Sequence, residues 1–126
     1  QYNYPQGKLV RVLVGEVFDV AVDIRPDSPT LGQWAGVRLS SENKKQFYVP
    51  PGFAHGFLVL SDDAVFAYKC TEYYHPEDEG GIAWDDPSVR VQWPLGGASP
   101  ALSQKDRQWG SLEDAVDRLK AKGERK

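Results

Sequence analysis

Lys8, His55 and Tyr68 are the residues through which this sequence could do acid–base chemistry. His55 stands in VPPGFAHGFLVL (49–60), between a rigid Pro-Pro-Gly turn and an apolar run. Lys8 has the strand parity of Val10 and Val12, where a charge is costly unless that strand end is wet or paired. Tyr68 shares a strand face with Ala64, Phe66 and Cys70, a face expected to point inward. Ammonium, imidazole and phenol are groups that give and take protons. Each also fits an ordinary structural role. A histidine beside a turn can bond backbone, a lysine at a strand end can be solvated, and a strand tyrosine can lend apolar area. Residue type alone leaves both readings open.

Other chemistries find less support. Zinc or iron in a β-rich protein needs several converging imidazoles. The chain has two histidines, His55 and His75, and no His-x-His pair, so no metal is expected. Cys70 is single, which excludes an internal disulfide and a cysteine zinc site. There is no G-x-S-x-G elbow, no G-x-G-x-x-G and no P-loop, and Gly80-Gly81 and Gly96-Gly97 read as turns. Fifteen basic against eighteen acidic side chains give a net charge of -3. That balance does not fit a nucleic-acid surface, although a few local cations could still meet a small anion. No apolar run approaches the roughly 20 residues that span a bilayer, and no charged-then-apolar leader opens the chain. The expected compartment is a reducing cytoplasm. The chain starts with Gln1 rather than Met, which points to processing or truncation.

The elements that must position these groups are short. The 126 residues suit one domain. Residues 7–25 predict two strands around a hairpin turn at Gly15-Glu16, with Val10, Val12 and Val14 on one face and Phe18, Val20 and Val22 repeating the period. PDSPTLGQ (26–33) is turn chemistry. Strands follow at 34–40 and 46–49, then an antiparallel pair at 55–61 and 64–74 across Asp62-Asp63. A loop-rich stretch holds one short strand near Val89–Trp93. Ser111 and Asp114 form a capping box, Leu112, Ala115, Val116 and Leu119 recur at helical spacing, and Gly123 stops the run. The expected fold is all-β: a jelly-roll β-sandwich over 1–110, with a short C-terminal helix and tail at 111–126.

Together these residues resemble a family. PQGKLVRVLVGEVFDVAVDIRPDSPTLGQW, the long run from VPPGFAHGFLVL to GGIAWDDP, and LSQKD look like dTDP-4-dehydrorhamnose 3,5-epimerase, in order and nearly ungapped as far as about Trp109. PPGFAH also resembles a motif of the wider cupin superfamily. The resemblance implies a metal-independent, cupin-type jelly roll with no redox cofactor. It implies a homodimer that inverts C3 and C5 of dTDP-4-dehydro-6-deoxyglucose. A hydrogen beside a ketone becomes removable when the resulting enolate is stabilised, so a base, an oxygen-holding donor and an acid are required.

By the same resemblance, Lys8 steadies the enolate, Tyr68 reprotonates the ring, and Asp106 orients the catalytic histidine. His55, Glu79 and Lys105 bind substrate, Lys8 with them. The family's base histidine lies in a GLHYQ-like segment just before the equivalent of PQGK, whereas this chain begins QYNYPQGK. The expectation is therefore the C-terminal two thirds of an epimerase, lacking the base and a phosphate-binding arginine. Two other readings share the motifs: an epimerase acting at C3 or C5 alone, and a non-catalytic cupin that binds sugar nucleotides.

Overall fold

Valines at alternate positions extend residues 8–23 into two strands, β1 (Lys8–Val14) and β2 (Glu16–Asp23), separated by Gly15. The computed structural model describes residue 1, residues 5–96 and residues 100–124, with side chains as far as Lys120. Among the described residues four further strands follow: β3 (Trp34–Ser40), β4 (Gln46–Val49), β5 (Phe53–Val59) and β6 (Val65–Cys70). A single 3-10 turn at Pro76–Asp78 and a helix, α1 (Leu112–Glu124), complete the elements. The strands form two antiparallel three-stranded sheets, ordered β4-β1-β6 and β3-β2-β5.

That order corrects two expectations. β1 and β2 do not form a hairpin, and β5 and β6 do not pair; each couple is divided between the sheets. At Gly15 the chain leaves one sheet for the other with φ 84°. A Cβ there would lie 2.1 Å from the Asp63 carbonyl oxygen, so only glycine lets the two crossings touch. Ser61 Oγ stitches them, accepting from the Glu16 N–H at 3.0 Å and donating to the Asp63 carbonyl at 2.6 Å. Period two reveals a strand, but the strand's partner depends on which sheet can cover its apolar face.

β2 is covered on both sides. On its inner face Val17 joins Val10, Val12 and Leu39 in a core between the sheets. On its outer face Val20 and Val22 pack with Val89, Leu112 and Val116, under α1 and the loop before it. Gly36 and Gly56 flank Val20 on the neighbouring strands, leaving a trough for aromatic rings. Phe18 lies there, edge-on to both Trp34 and Trp93. Full burial of each aliphatic side chain is worth about 1.5–3 kcal/mol, so the two clusters supply much of the driving force.

The remaining differences are local. β5 begins two residues before the expected start, and β6 ends at Cys70 rather than residue 74. Val14 leaves the face of Val10 and Val12 because the β1–β6 register shifts between Val12 and Val14, and it stays exposed. No strand forms at Val89–Trp93. Val89 and Arg90 both donate to the Asp86 carbonyl, and Arg90 adopts φ 58°, which breaks extension. Val89 is nonetheless buried in the outer core. The capping box is present, with the Asp114 N–H donating to Ser111 Oγ at 3.1 Å. Asp86 Oδ2 adds an acceptor for the Leu112 N–H at 2.7 Å. The helix continues through Gly123 to Glu124 rather than stopping there.

At the end of β2, Asp23 ties down the 24–33 turn. Its buried carboxylate accepts from Arg25 Nη2 at 2.9 Å, from the Arg25 N–H at 3.0 Å, and from the Ser28 and Thr30 hydroxyls. The Arg25 guanidinium, more than the two hydroxyls, holds this carboxyl well below the usual carboxylate range, against the opposing effect of burial. A depressed folded-state pKa gives stability that is complete above the unfolded value of about 3.9 and is lost as pH falls below it. Urea midpoints should therefore be insensitive to Asp23 from pH 7 to about 5 and fall below about pH 4. Asp23→Asn should reduce that acid slope, and Asp23→Ala should cost about 2–3 kcal/mol at neutral pH. An unchanged acid slope in Asp23→Asn would assign the effect to other carboxylates.

Candidate active site

The two sheets diverge where β1, β5 and β6 face one another, and the space between them is a cavity of about 310 Å³. Lys8 and Val10 from β1, His55 and Phe57 from β5, and Phe66 and Tyr68 from β6 line it. Strand pleating explains the selection. Lys8 and Val10 are two apart, as are His55 and Phe57, and Phe66 and Tyr68, so each pair shares a face. Register does the rest, setting Val10 opposite Tyr68 and Val12 opposite Phe66. Phe57 and Phe66 meet across the gap with centroids 4.4 Å apart and ring planes tilted by 57°. Tyr68 remains 63% exposed and Phe57 50%, which marks the mouth of the cavity.

His55 is fixed from behind by a residue that strand periodicity conceals. Its Nε2 lies 2.6 Å from Asp19 Oδ1, and Asp19 is fully buried. A carboxylate only accepts, so the Nε2 hydrogen points to Asp19 and Nδ1 is left for a ligand. Among the described residues the second Asp19 oxygen is buried without a hydrogen-bond partner, an arrangement that costs stability. Sequence reading passed over Asp19 because its parity, opposite to Phe18 and Val20, is that of a solvated strand face. The available signal was a carboxylate between valines in VFDVAVD.

A second polar cluster joins the segments that follow β6. Lys105 Nζ is 2.9 Å from the Glu79 carboxylate. The Tyr74 hydroxyl is hydrogen-bonded to the same carboxylate. Partial burial acts to raise the Glu79 carboxyl, but the bonds from Lys105 and Tyr74 and the Lys105 charge prevail and lower it. The reciprocal bond raises Lys105, and Glu79 likewise raises Tyr74. The Lys105 side chain is half exposed, so the pair is worth at most about 1 kcal/mol to the fold. Its use is to hold a cation in place.

The structure thus brings Lys8, His55 and Tyr68 together around one cavity, and Glu79 and Lys105 together in a separate ion pair. Asp106 is adjacent to Lys105 in an exposed turn, where its own N–H donates to Ser103 Oγ at 3.1 Å. His75 bonds Glu77 at 3.3 Å and is not among the cavity residues. Among the described residues no three His, Cys, Asp or Glu side chains form a metal-ligand set. A cation, an imidazole with a free nitrogen and a phenol around one small apolar-walled cavity can hold a developing oxyanion and deliver a proton beside it.

The family described as dTDP-4-dehydrorhamnose 3,5-epimerase matches residues 1–114. The chain belongs to the dTDP-4-dehydrorhamnose 3,5-epimerase family. It is 56% identical over 115 residues to dTDP-4-dehydrorhamnose 3,5-epimerase of Methanothermobacter thermautotrophicus, covering 90% of this chain and 62% of that one. Against the Pseudomonas aeruginosa epimerase it is 57% identical over 115 residues, covering 91% and 63%. A crystal structure of dTDP-6-deoxy-D-glucose-3,5-epimerase from Legionella pneumophila, in complex with dTDP-4-keto-L-rhamnose, matches with a TM-score of 0.86. Its identity is 58%, over 92% of this chain and 63% of that one. The cupin-type jelly-roll expectation is met by the two antiparallel sheets and by this likeness. The chain spans somewhat less than two thirds of the curated relatives it matches.

Asp19 gives the test of whether this family site is functional or structural in design. Asp19→Asn removes a buried charge and weakens the bond to His55, two effects that oppose each other in stability. The unfolding free energy should stay within about 1 kcal/mol of the parent, while turnover by the intact protein falls about tenfold or more. Calorimetry beside a turnover assay separates the two. A large loss of stability with full turnover would make Asp19 a structural residue only.

Proposed function

We propose that the intact protein is a dTDP-4-dehydrorhamnose 3,5-epimerase, acting on dTDP-4-dehydro-6-deoxyglucose and inverting C3 and C5. The observation that supports this most directly is the convergence of Lys8, His55 and Tyr68 on one cavity in a chain of this family. About 310 Å³ is at the small end of ligand sites and suits the sugar, with the nucleotide extending outward.

The chemistry follows from the 4-keto group. A base removes the hydrogen at C3 or C5, and the electron pair of that C–H bond moves to the carbonyl oxygen. Lys8 donates to that oxygen as its charge develops. Tyr68 then returns a proton to the opposite face of the ring carbon. His55 contacts the sugar through Nδ1, with Asp19 holding the ring. Val10, Phe57 and Phe66 wall the site with carbon and limit water, which strengthens the Lys8 interaction. No electrons leave the sugar, so the reaction needs no redox cofactor. The resemblance assigns the proton-abstracting histidine to a segment ahead of Pro5–Lys8, with Asp106 orienting it. Epimerisation is accordingly proposed for the whole protein rather than for these 126 residues. Glu79 and Lys105 serve the nucleotide end. A homodimer in the cytoplasm, with no nucleic-acid or membrane partner, belongs to the same proposal. A net charge of -3 supports the nucleic-acid part, and no helix among the described residues is long and apolar enough to cross a membrane.

Two substitutions in the intact protein, followed by NMR in deuterated water, test the reading. Lys8→Ala should lower kcat by about 10²–10³, the loss of one oxyanion donor, with a much smaller change in substrate affinity. Near-full kcat would remove Lys8 from the mechanism. Tyr68→Phe should still exchange a ring proton with solvent while losing most of the inversion. Inversion of both centres at the parent rate would exclude Tyr68 as the acid. A parent protein that inverts one centre only would correct the two-centre assignment.

A further inference from the structure

Glu79 and Lys105 belong to two irregular segments, residues 75–86 and 101–110, neither of which contributes a strand to a sheet. An ion pair with one half-exposed partner cannot by itself fix the spacing of two such segments. Two contacts beside it do so. The Ala83 N–H donates to the Gly110 carbonyl at 2.7 Å. The Trp109 indole rests directly on the Gly81 backbone: a Cβ at Gly81 would stand 2.8 Å from Cγ, Cδ2 and Cε2 of that ring. Any side chain at 81 would push the indole away. Glu79 lies two residues before the glycine and Lys105 four before the tryptophan, so this contact sets where carboxylate and ammonium meet.

Trp109 is not spent on either core. It is only partly buried and belongs to neither of the two apolar clusters. A hollow of about 170 Å³ remains around it, lined by Gly80, Gly81, Gly110, Asp114 and Arg118 among others. An indole beside open space adds less to stability than one in a filled core. Its firm contact is the one with Gly81.

We propose that Trp109 is a positioning residue which, by resting on Gly81, holds Lys105 against Glu79 for the anionic nucleotide part of the ligand. This rests on the proposed function. The route from contact to ligand is short. Trp109 on Gly81 aligns the Glu79–Lys105 pair, and the ammonium then meets the negative charge of the nucleotide. The enolate is held by Lys8 and reprotonated by Tyr68, so Trp109 governs capture and not the chemical step.

The experiment uses the intact protein with dTDP as the probe in calorimetric binding, together with steady-state kinetics. Trp109→Ala should raise both the Kd for dTDP and the KM by about tenfold, the scale of one lost charge-assisted contact, with kcat within about twofold. Trp109→Phe should recover most of the loss. Trp109→Ala combined with Lys105→Ala should bind no more weakly than Lys105→Ala alone. Unchanged Kd, a fall in kcat at constant KM, or strictly additive losses would each overturn the proposal. Gly81→Ala keeps the indole but displaces it; it should reproduce the KM shift even if Trp109→Ala folds poorly, and normal KM in it would be equally decisive. If the parent neither binds dTDP nor turns over the sugar, the functional reading fails separately. The crystal structure of Trp109→Ala then decides the positioning role: an intact 2.9 Å Glu79–Lys105 pair rejects it, and a broken pair upholds it.

Discussion

Everything in this fold hangs on a strand with no solvent face. β2 has Val20 and Val22 on one face and Val17, Asp19 and Asp23 on the other, and both sides are buried. One face meets the opposite sheet, and the other lies under α1 and the irregular segment containing Val89 and Trp93. A carboxylate in such a strand must find donors or remain costly. Asp23 finds five, and by doing so folds the 24–33 turn back on the strand end. Asp19 finds one, His55, and keeps an oxygen unsatisfied. The contrast separates a carboxylate that serves the fold from one that serves the cavity.

The location of the cavity follows from the same arrangement. The inter-sheet core is filled by Val10, Val12, Val17 and Leu39, and the space left over falls toward β5 and β6. Neither of those edge strands carries a further neighbour among the described residues, so side chains at that end remain reachable. Lys8, His55 and Tyr68 each stand on a regular strand, where pleat and register limit their freedom. The more exposed Glu79 and Lys105 stand on irregular segments and depend on contacts such as Trp109 on Gly81. The groups proposed for the chemical step thus sit on rigid elements, and those proposed for the outer part of the ligand sit on loops.

Much of the local structure was legible without coordinates. Period two gives β1 to β4 almost to the residue, because alternation of valine with polar side chains is a property of the chain alone. Ser111 and Asp114 mark the start of α1 for a similarly local reason, the need to satisfy its first N–H groups. That Lys8, His55 and Tyr68 belong to one site came from resemblance. No spacing within one strand reports which other strand will lie opposite.

What the sequence determined by itself was residue type, strand parity and the family likeness, since each depends on neighbours along the chain. What only the tertiary structure decided was partnership. Gly15-Glu16 and Asp62-Asp63 look like hairpin turns but carry the chain between sheets, because the apolar faces on either side are covered by different layers. Val89–Trp93 looks like a strand but packs as irregular chain, because it covers the outer face of β2 and no sheet edge receives its backbone. Asp19 looks solvated and is wholly buried, because the covering of that face comes from residues far away in sequence. Burial is a property of all the layers at once, and no window of sequence contains them.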